Sequence, residues 1–138
     1  MGKKQPRDES ELDKFHSWIE NLKEASETNI ILVEGKKDKN ALESFKIKNV
    51  YSLRGALFQT IEKIASLGKD CILLMDLDAE GRKLHAKLLT GLQANGVKVN
   101  TRFRKLLFAT KIRTIEAIPK YIERQSAITP RKRPSWLQ

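Results

Sequence analysis

Cysteine occurs once in the 138 residues, as Cys71, so no internal disulfide can form, which fits a reducing compartment. The residue stands inside an apolar run and reads as a small core side chain. Long apolar runs are missing as well. The longest, Ile30 to Val33 and Cys71 to Met75, are far too short to cross a bilayer, and no basic amphipathic helix with a large apolar face is evident, so membrane residence is disfavoured. The opening stretch MGKKQPRDESE lacks the apolar core of a secretory signal, which gives the expectation of a cytoplasmic protein. Glycine (7) and proline (4) are sparse, and with 40% hydrophobic and 32% charged residues the composition is that of an ordinary globular chain, not a disordered or fibrous one. The length suits one sheet-and-helix core and is too short for two independent ones.

Several chemistries lack their residues. Gly35-Lys36 is not part of a full G-x-x-x-x-G-K-[ST] phosphate loop. His16 and His85 have no Cys or His neighbours at ligand spacing, and no Ser-His-Asp or Cys-His arrangement can be built, so both histidines read as surface or helix-face residues. Acid is scarce in one region only. Met1 to Gly96 holds 16 Lys/Arg against 15 Asp/Glu, whereas Val97 to Gln138 holds 11 against 2, so nearly all of the net charge of +10 lies in the last third. A basic region segregated in this way attracts polyanions and releases counterions when phosphates bind, which makes nucleic acid the leading partner over simple solubilising charge.

Along the chain, Ser10 followed by Asp13 resembles a capping box, and Leu12, Phe15, Ile19 and Leu22 recur at helical spacing. The pattern predicts one amphipathic helix over Ser10 to Ser26, with Phe15 and Trp18 packing onto the domain. Strands are predicted at Asn29 to Val33, Asn49 to Leu53, Asp70 to Met75 and, more weakly, Val97 to Thr101. Helical segments fall between them at Asp38 to Lys46, Ala56 to Leu67 and Glu80 to Asn95. This β-α-β-α-β-α-β order implies an α/β fold, a four-stranded and mainly parallel sheet flanked by helices. The runs Ile30 to Val33 and Cys71 to Met75 lack polar alternation, as central strands covered on both faces do. Further helices are expected at Arg102 to Ala109 and Thr114 to Arg124, the second broken near Pro119. The tail TPRKRPSWLQ is expected to lack intrinsic structure. The organisation is therefore an N-terminal helix (1–28), a core (29–101), a basic helical extension (102–125) and a tail (126–138).

Carboxylates follow the two most apolar strands: Glu34 after ILV, and Asp76 and Asp78 after CILLM. In an open parallel sheet, ligands bind in the crevice beyond the strands' carboxyl ends, and side chains at i and i+2 of an extended segment point the same way. If the first and third strands are neighbours, Glu34 joins Asp76 and Asp78, and three close carboxylates repel one another unless a proton or a divalent cation neutralises them. Magnesium suits such a site because it prefers hard oxygen ligands and keeps waters that phosphates can replace. Either acid alone could be a helix cap or a solvated strand end. Gly35 and Gly81 beside them allow close approach of a backbone to phosphate, and the start of the helix after Asp78 offers free N–H groups to an anion.

VEGKKDKNAL followed downstream by ILLMDLDAEGR resembles the signature of the Toprim family, which includes bacterial primases, type IA and type II topoisomerases and the ribonuclease that matures 5S rRNA. The likeness spans Asn29 to Asn100 and implies a single Rossmann-like Toprim domain. It implies roles for the matching positions too: Glu34 in proton transfer or metal binding, and Asp76 and Asp78 as ligands of Mg²⁺ (or Mn²⁺). Where primases tend to have Thr-Leu-Gly-Thr, this chain has Ser52-Leu53-Arg54-Gly55, which keeps the glycine and adds an arginine able to touch phosphate. KIRTIEAIP is similar to a stretch found after the sheet in short stand-alone Toprim proteins of archaea and bacteria, and makes Glu116 a further candidate acid. That group's resemblance points to RNA more than DNA.

Lys36, Lys37, Arg82 and Lys83 flank the acidic motifs and can hold phosphates, with Arg54, Gly55 and Gly81 beside them. In the tail, Arg131, Lys132 and Arg133 can attract a phosphate backbone and Trp136 can stack on an exposed base. Two functions are compatible with these features. One is a Mg²⁺-dependent enzyme of phosphodiester chemistry, an RNA-processing nuclease with Glu34, Asp76 and Asp78 as its catalytic centre. The other is a non-catalytic module that docks on structured RNA such as the ribosome through its basic last third.

Overall fold

The computed structural model describes residues 10–128. The two uninterrupted apolar runs form the middle of the sheet. β1 (Ile30–Val33) and β3 (Cys71–Leu74) are buried at every position and lie side by side, with β2 (Val50–Ser52) outside β1 and β4 (Val99–Asn100) outside β3. All three pairings are parallel, in the register Ile31 to Val50, Val33 to Leu74 and Cys71 to Val99. The expected mainly parallel sheet is thus parallel throughout. Adjacent β1 and β3 in this register release the chain at the same level, so Glu34 and Asp76 emerge from neighbouring strands.

Alternation along the strands divides the core in two. Ile31, Val33, Ile72 and Leu74 face a layer built from α1 (Glu11–Ala25), Leu42 of α2 (Lys36–Glu43), and Leu107, Ile115 and Ile118 of the C-terminal extension. Ile30, Leu32, Cys71, Leu73 and Met75 face the other layer, formed by α3 (Leu57–Ser66) and α4 (Ala79–Ala94). Helices on both faces explain why the central strands carry no polar alternation. Cys71 is fully buried, and burial pushes its thiol up to about 12, which leaves it an apolar filler and not a nucleophile.

The N-terminal helix starts where the capping pattern placed it. The Asp13 amide donates to Ser10 Oγ at 3.1 Å, and Phe15, Trp18, Ile19 and Leu22 are buried beneath it. Trp18 Nε1 donates to the Phe103 carbonyl at 2.9 Å and the two rings meet edge to face, so this aromatic pair fastens the helix to the C-terminal extension. That extension comprises α5 (Arg102–Leu107), a 3-10 turn (Ile115–Ala117) and α6 (Ile118–Ile128). Pro119 does not interrupt a helix. It occupies the first turn of α6, where its missing N–H has no partner to lose, and the break falls just ahead of it. Among the described residues, no helix is long and apolar enough to cross a membrane.

Candidate functional site

The carboxyl ends of β1 and β3 collect more acid than the motifs indicated. Glu34 leaves β1, and its Oε1 is buried without a hydrogen-bond partner. Its carboxyl is raised above the ordinary range, first by burial and then by the charges of Asp78, Asp38 and Glu80, with the Asp76 amide opposing. Asp76 is pushed up to about 6, by burial first and by Asp38, Glu34 and Asp78, against a hydrogen bond of 3.0 Å from the Ile115 amide to its Oδ1. Asp38 is raised too, chiefly by burial, with Glu116 and Asp78 adding to it and the Gly35 amide lowering it.

The route by which Asp76 and Asp78 come together differs from the one the sequence suggested. β3 ends at Leu74, so the two acids do not share one face of an extended strand. Asp78 is the N-cap of α4, and its Oδ1 accepts the Gly81 amide at 2.7 Å; Asp76 turns towards the C-terminal extension to meet Ile115. The cap role considered for Asp78 is therefore real, and it orients the residue. The charges still reach one another, because Asp78 raises both Glu34 and Asp76.

Gly81 makes the loop between β3 and α4 tight. A β-carbon there would lie 2.6 Å from the Asp76 carbonyl carbon and 3.0 Å from its Cα, with the carbonyl oxygen closer still. Arg104 of α5 holds the same loop from the other side. Its Nε donates to the Met75 carbonyl at 2.8 Å and its Nη2 to the Asp76 carbonyl at 2.9 Å. The Leu77 amide donates to the Arg113 carbonyl at 3.1 Å. The extension thus builds the acidic loop and is not an appendage. Arg104→Ala removes two charge-assisted bonds to half-buried carbonyls and is expected to destabilise the fold by about 2 kcal/mol, read by denaturant unfolding.

Lys36 and Lys37 occupy the exposed first turn of α2, and Arg82 and Lys83 that of α4, both at the carboxyl end of the sheet. Arg54 and Gly55 are exposed in the loop after β2, where Gly55 adopts φ +64°. Glu116, in the 3-10 turn, is exposed and lies close enough to raise Asp38. Arg131, Lys132, Arg133 and Trp136 lie outside the described residues. His85 is half-buried on α4 with Nδ1 unpartnered, and burial and then Arg104 lower its pKa; His16 is exposed.

Sequence reasoning missed Asp38 and Arg104. Asp38 had a local signal: it is the third helical residue after Gly35, and its Oδ2 accepts the Gly35 amide at 3.1 Å, half of a capping box. Arg104 had none, since its partners stand 28 and 29 residues earlier in the chain.

The donor set suits a hard divalent cation. All the groups are carboxylate oxygens, one of them buried and unpartnered, and their mutual repulsion is relieved by positive charge. Among the described residues no three acidic, His or Cys side chains are gathered as a closed ligand set. Magnesium needs none, being held by one or two carboxylates with waters and substrate phosphates completing its shell.

A Toprim domain model matches residues 28–102, and the chain belongs to the Toprim domain family. It is 31% identical to a UPF0292 protein of Methanosarcina barkeri over 119 residues, 82% of this chain and 83% of that protein. A UPF0292 protein of Methanocaldococcus jannaschii is 29% identical over 82% of this chain and 93% of its own length. A solved structure from Aquifex aeolicus shares the fold with a TM-score of 0.70 and 39% identity, covering 73% of this chain and 94% of that one. Membership of the Toprim family supports a metal-binding function related to nucleic acid.

Proposed function

We propose that this chain is a Mg²⁺-dependent protein acting on nucleic-acid phosphodiesters, with RNA its substrate and Glu34, Asp76 and Asp78 its acidic centre. The observation that carries the reading is the unpartnered, buried Glu34 Oε1 among carboxylates raised by one another at the exit of two adjacent strands. Asp76 and Asp78 would hold the ion, with Glu34 as third ligand or proton acceptor. When bound, Mg²⁺ supplies charge to a phosphoryl oxygen and lowers the pKa of a coordinated water.

The chain's own residues prepare the rest. Burial and neighbouring charge raise Glu34 above the ordinary carboxylate range, which brings it closer to the pH at which a general base exchanges protons efficiently. Asp78 caps α4 through the Gly81 amide, which leaves the Ala79 and Glu80 N–H groups, with Arg82 and Lys83 in the same turn, to bind a phosphate. Lys36 and Lys37 follow β1 and Arg54 follows β2, all exposed at the same end of the sheet. The basic last third supplies further attraction for the backbone.

A non-catalytic RNA-binding module is the second reading, favoured by the open arrangement of the acids among the described residues. Incubation of the protein with precursor rRNA, with and without Mg²⁺, separates the two. The enzyme reading expects cleavage that needs Mg²⁺ and falls by at least about a hundredfold in Asp76→Asn. Binding without cleavage, equal in the two proteins, supports the module instead.

A further inference from the structure

β2 is an edge strand, and the two helices beside it cover opposite faces of the sheet, so its outer edge lies at the bottom of a trough between α2 and α3. This trough is a cleft of about 570 Å³, lined by Lys39 of α2, Tyr51 and Ser52 of β2, Arg54, and Gln59, Thr60 and Lys63 of α3. No carboxylate lines it. A second cleft of about 430 Å³ shares Lys39, Ser52 and Arg54 with it and continues past Leu53 to Lys36, with Glu43 on its wall. Among the described residues the ion pair is Lys48 with Glu27 at 3.3 Å, so Lys39, Arg54 and Lys63 have no acidic partner there.

The walls are fixed in place. The Arg54 amide donates to Thr60 Oγ1 and the Thr60 hydroxyl donates to the Arg54 carbonyl, both at 3.3 Å, and Thr60 is buried. The Ala56 amide donates to Gln59 Oε1 at 3.0 Å, closing the turn in which Gly55 has positive φ. At the other end, the Leu53 amide donates to the Glu34 carbonyl at 3.3 Å, which joins the cleft to the acidic centre through one backbone contact.

We infer that the trough along β2 is a track for a single nucleic-acid strand leaving the acidic centre, its phosphates held by Lys39, Arg54 and Lys63. The inference rests on the reading that this chain binds nucleic acid, and it adds where the strand goes. Three cations around a concave surface free of carboxylates repel one another, and a polyanion relieves that repulsion. A single strand can lie along a concave edge of this kind with its phosphates against the cations.

Fluorescence anisotropy with labelled single-stranded RNA of about 4 and about 16 nucleotides tests this. The longer RNA should bind the wild-type protein more tightly, and the double variant Lys39→Glu, Lys63→Glu should weaken it by about tenfold or more while changing the shorter RNA little. Lys39→Gln with Lys63→Gln should show a smaller loss in the same direction, and serves if the charge-reversed chain does not fold. Lys98→Glu, an exposed lysine at the opposite end of the sheet, is the control for net charge. Equal losses for the Lys98 control and the cleft variants, charge against charge, would overturn the track, as would equal affinity of the two RNA lengths. Measuring the same RNAs against Asp76→Asn with and without Mg²⁺ keeps the two failures apart: Mg²⁺ dependence unchanged by the substitution, with the length effect intact, strikes the acidic centre and leaves the cleft standing.

Discussion

Gly81→Ala should unfold at a temperature several degrees below the wild-type protein and lose affinity for divalent cations with it. The added methyl meets backbone, the carbonyl group and Cα of Asp76, and no flexible side-chain end that could rotate aside. Overpacking of this kind costs about 3 kcal/mol, and the better helix propensity of alanine returns about 1, leaving a net loss of about 2 kcal/mol. Relief requires the loop from Met75 to Asp78 to move, yet Arg104 and Ile115 fasten it from the other side. Strain is therefore forced onto the acidic centre. Gly91→Ala is the informative comparison within the same helix, because its new methyl meets the Cδ1 end of Ile61, which can change rotamer. Thermal melts of the two variants should differ clearly, with Gly91→Ala the milder, and a Gly81→Ala protein as stable as wild type would show that the loop is not held as tightly as described.

Asp76→Asn should make the metal-free protein more stable at neutral pH while disabling its site. Asp76 titrates at about 6 in the fold against 3.8 ordinarily, so between those values the folded chain binds more protons than the unfolded one. Stability conferred by the protonated form is present at low pH and is lost as pH rises from about 4 through about 6. Glu34 and Asp38 are raised as well and act in the same direction. Asparagine keeps an Oδ1 acceptor for the Ile115 amide but carries no charge. In chelator, the variant is expected to gain about 1 kcal/mol at pH 7.5 after allowance for solvent screening, and to show a shallower fall in stability across the acid window. Saturating Mg²⁺ should reverse the order, because binding to the folded state alone stabilises the wild-type chain. Urea unfolding at a series of pH values, with and without Mg²⁺, reads both effects.

These two substitutions bear on different parts of what the chain makes legible. The parallel sheet and the positions of Glu34 and Asp76 follow from local patterns: apolar runs too uniform for half-exposed strands, alternating with helices, leave little choice but a parallel sheet whose carboxyl end carries the acids, while the adjacency of β1 and β3 is a condition the sequence leaves open. Ser10 and Gly81 are legible for the same reason, since a cap and a close approach are settled within a few residues. What the sequence conceals is set by contacts across the chain. Arg104 and Ile115 reach the acidic loop only because α5 and the 3-10 turn pack back against β3 and α2, and no spacing encodes that return. The orientation of Asp76 and Asp78 was hidden by a short strand: β3 ends before both, so a cap and a distant amide decide where they point, and not the strand's alternation. The cleft along β2 likewise needs α2 and α3 on opposite faces before Lys39 and Lys63 can share a surface.

Calorimetric titration of Mg²⁺ into the wild-type protein and into Glu34→Gln, Asp76→Asn and Asp78→Asn tests the central claim most directly, since the last two keep their acceptor and capping geometry and change only charge. A shared acidic centre predicts one site in the wild-type chain and a loss of about tenfold or more in affinity for each variant. Equal affinity in all four proteins, or no binding to the wild-type chain with or without RNA present, would contradict it.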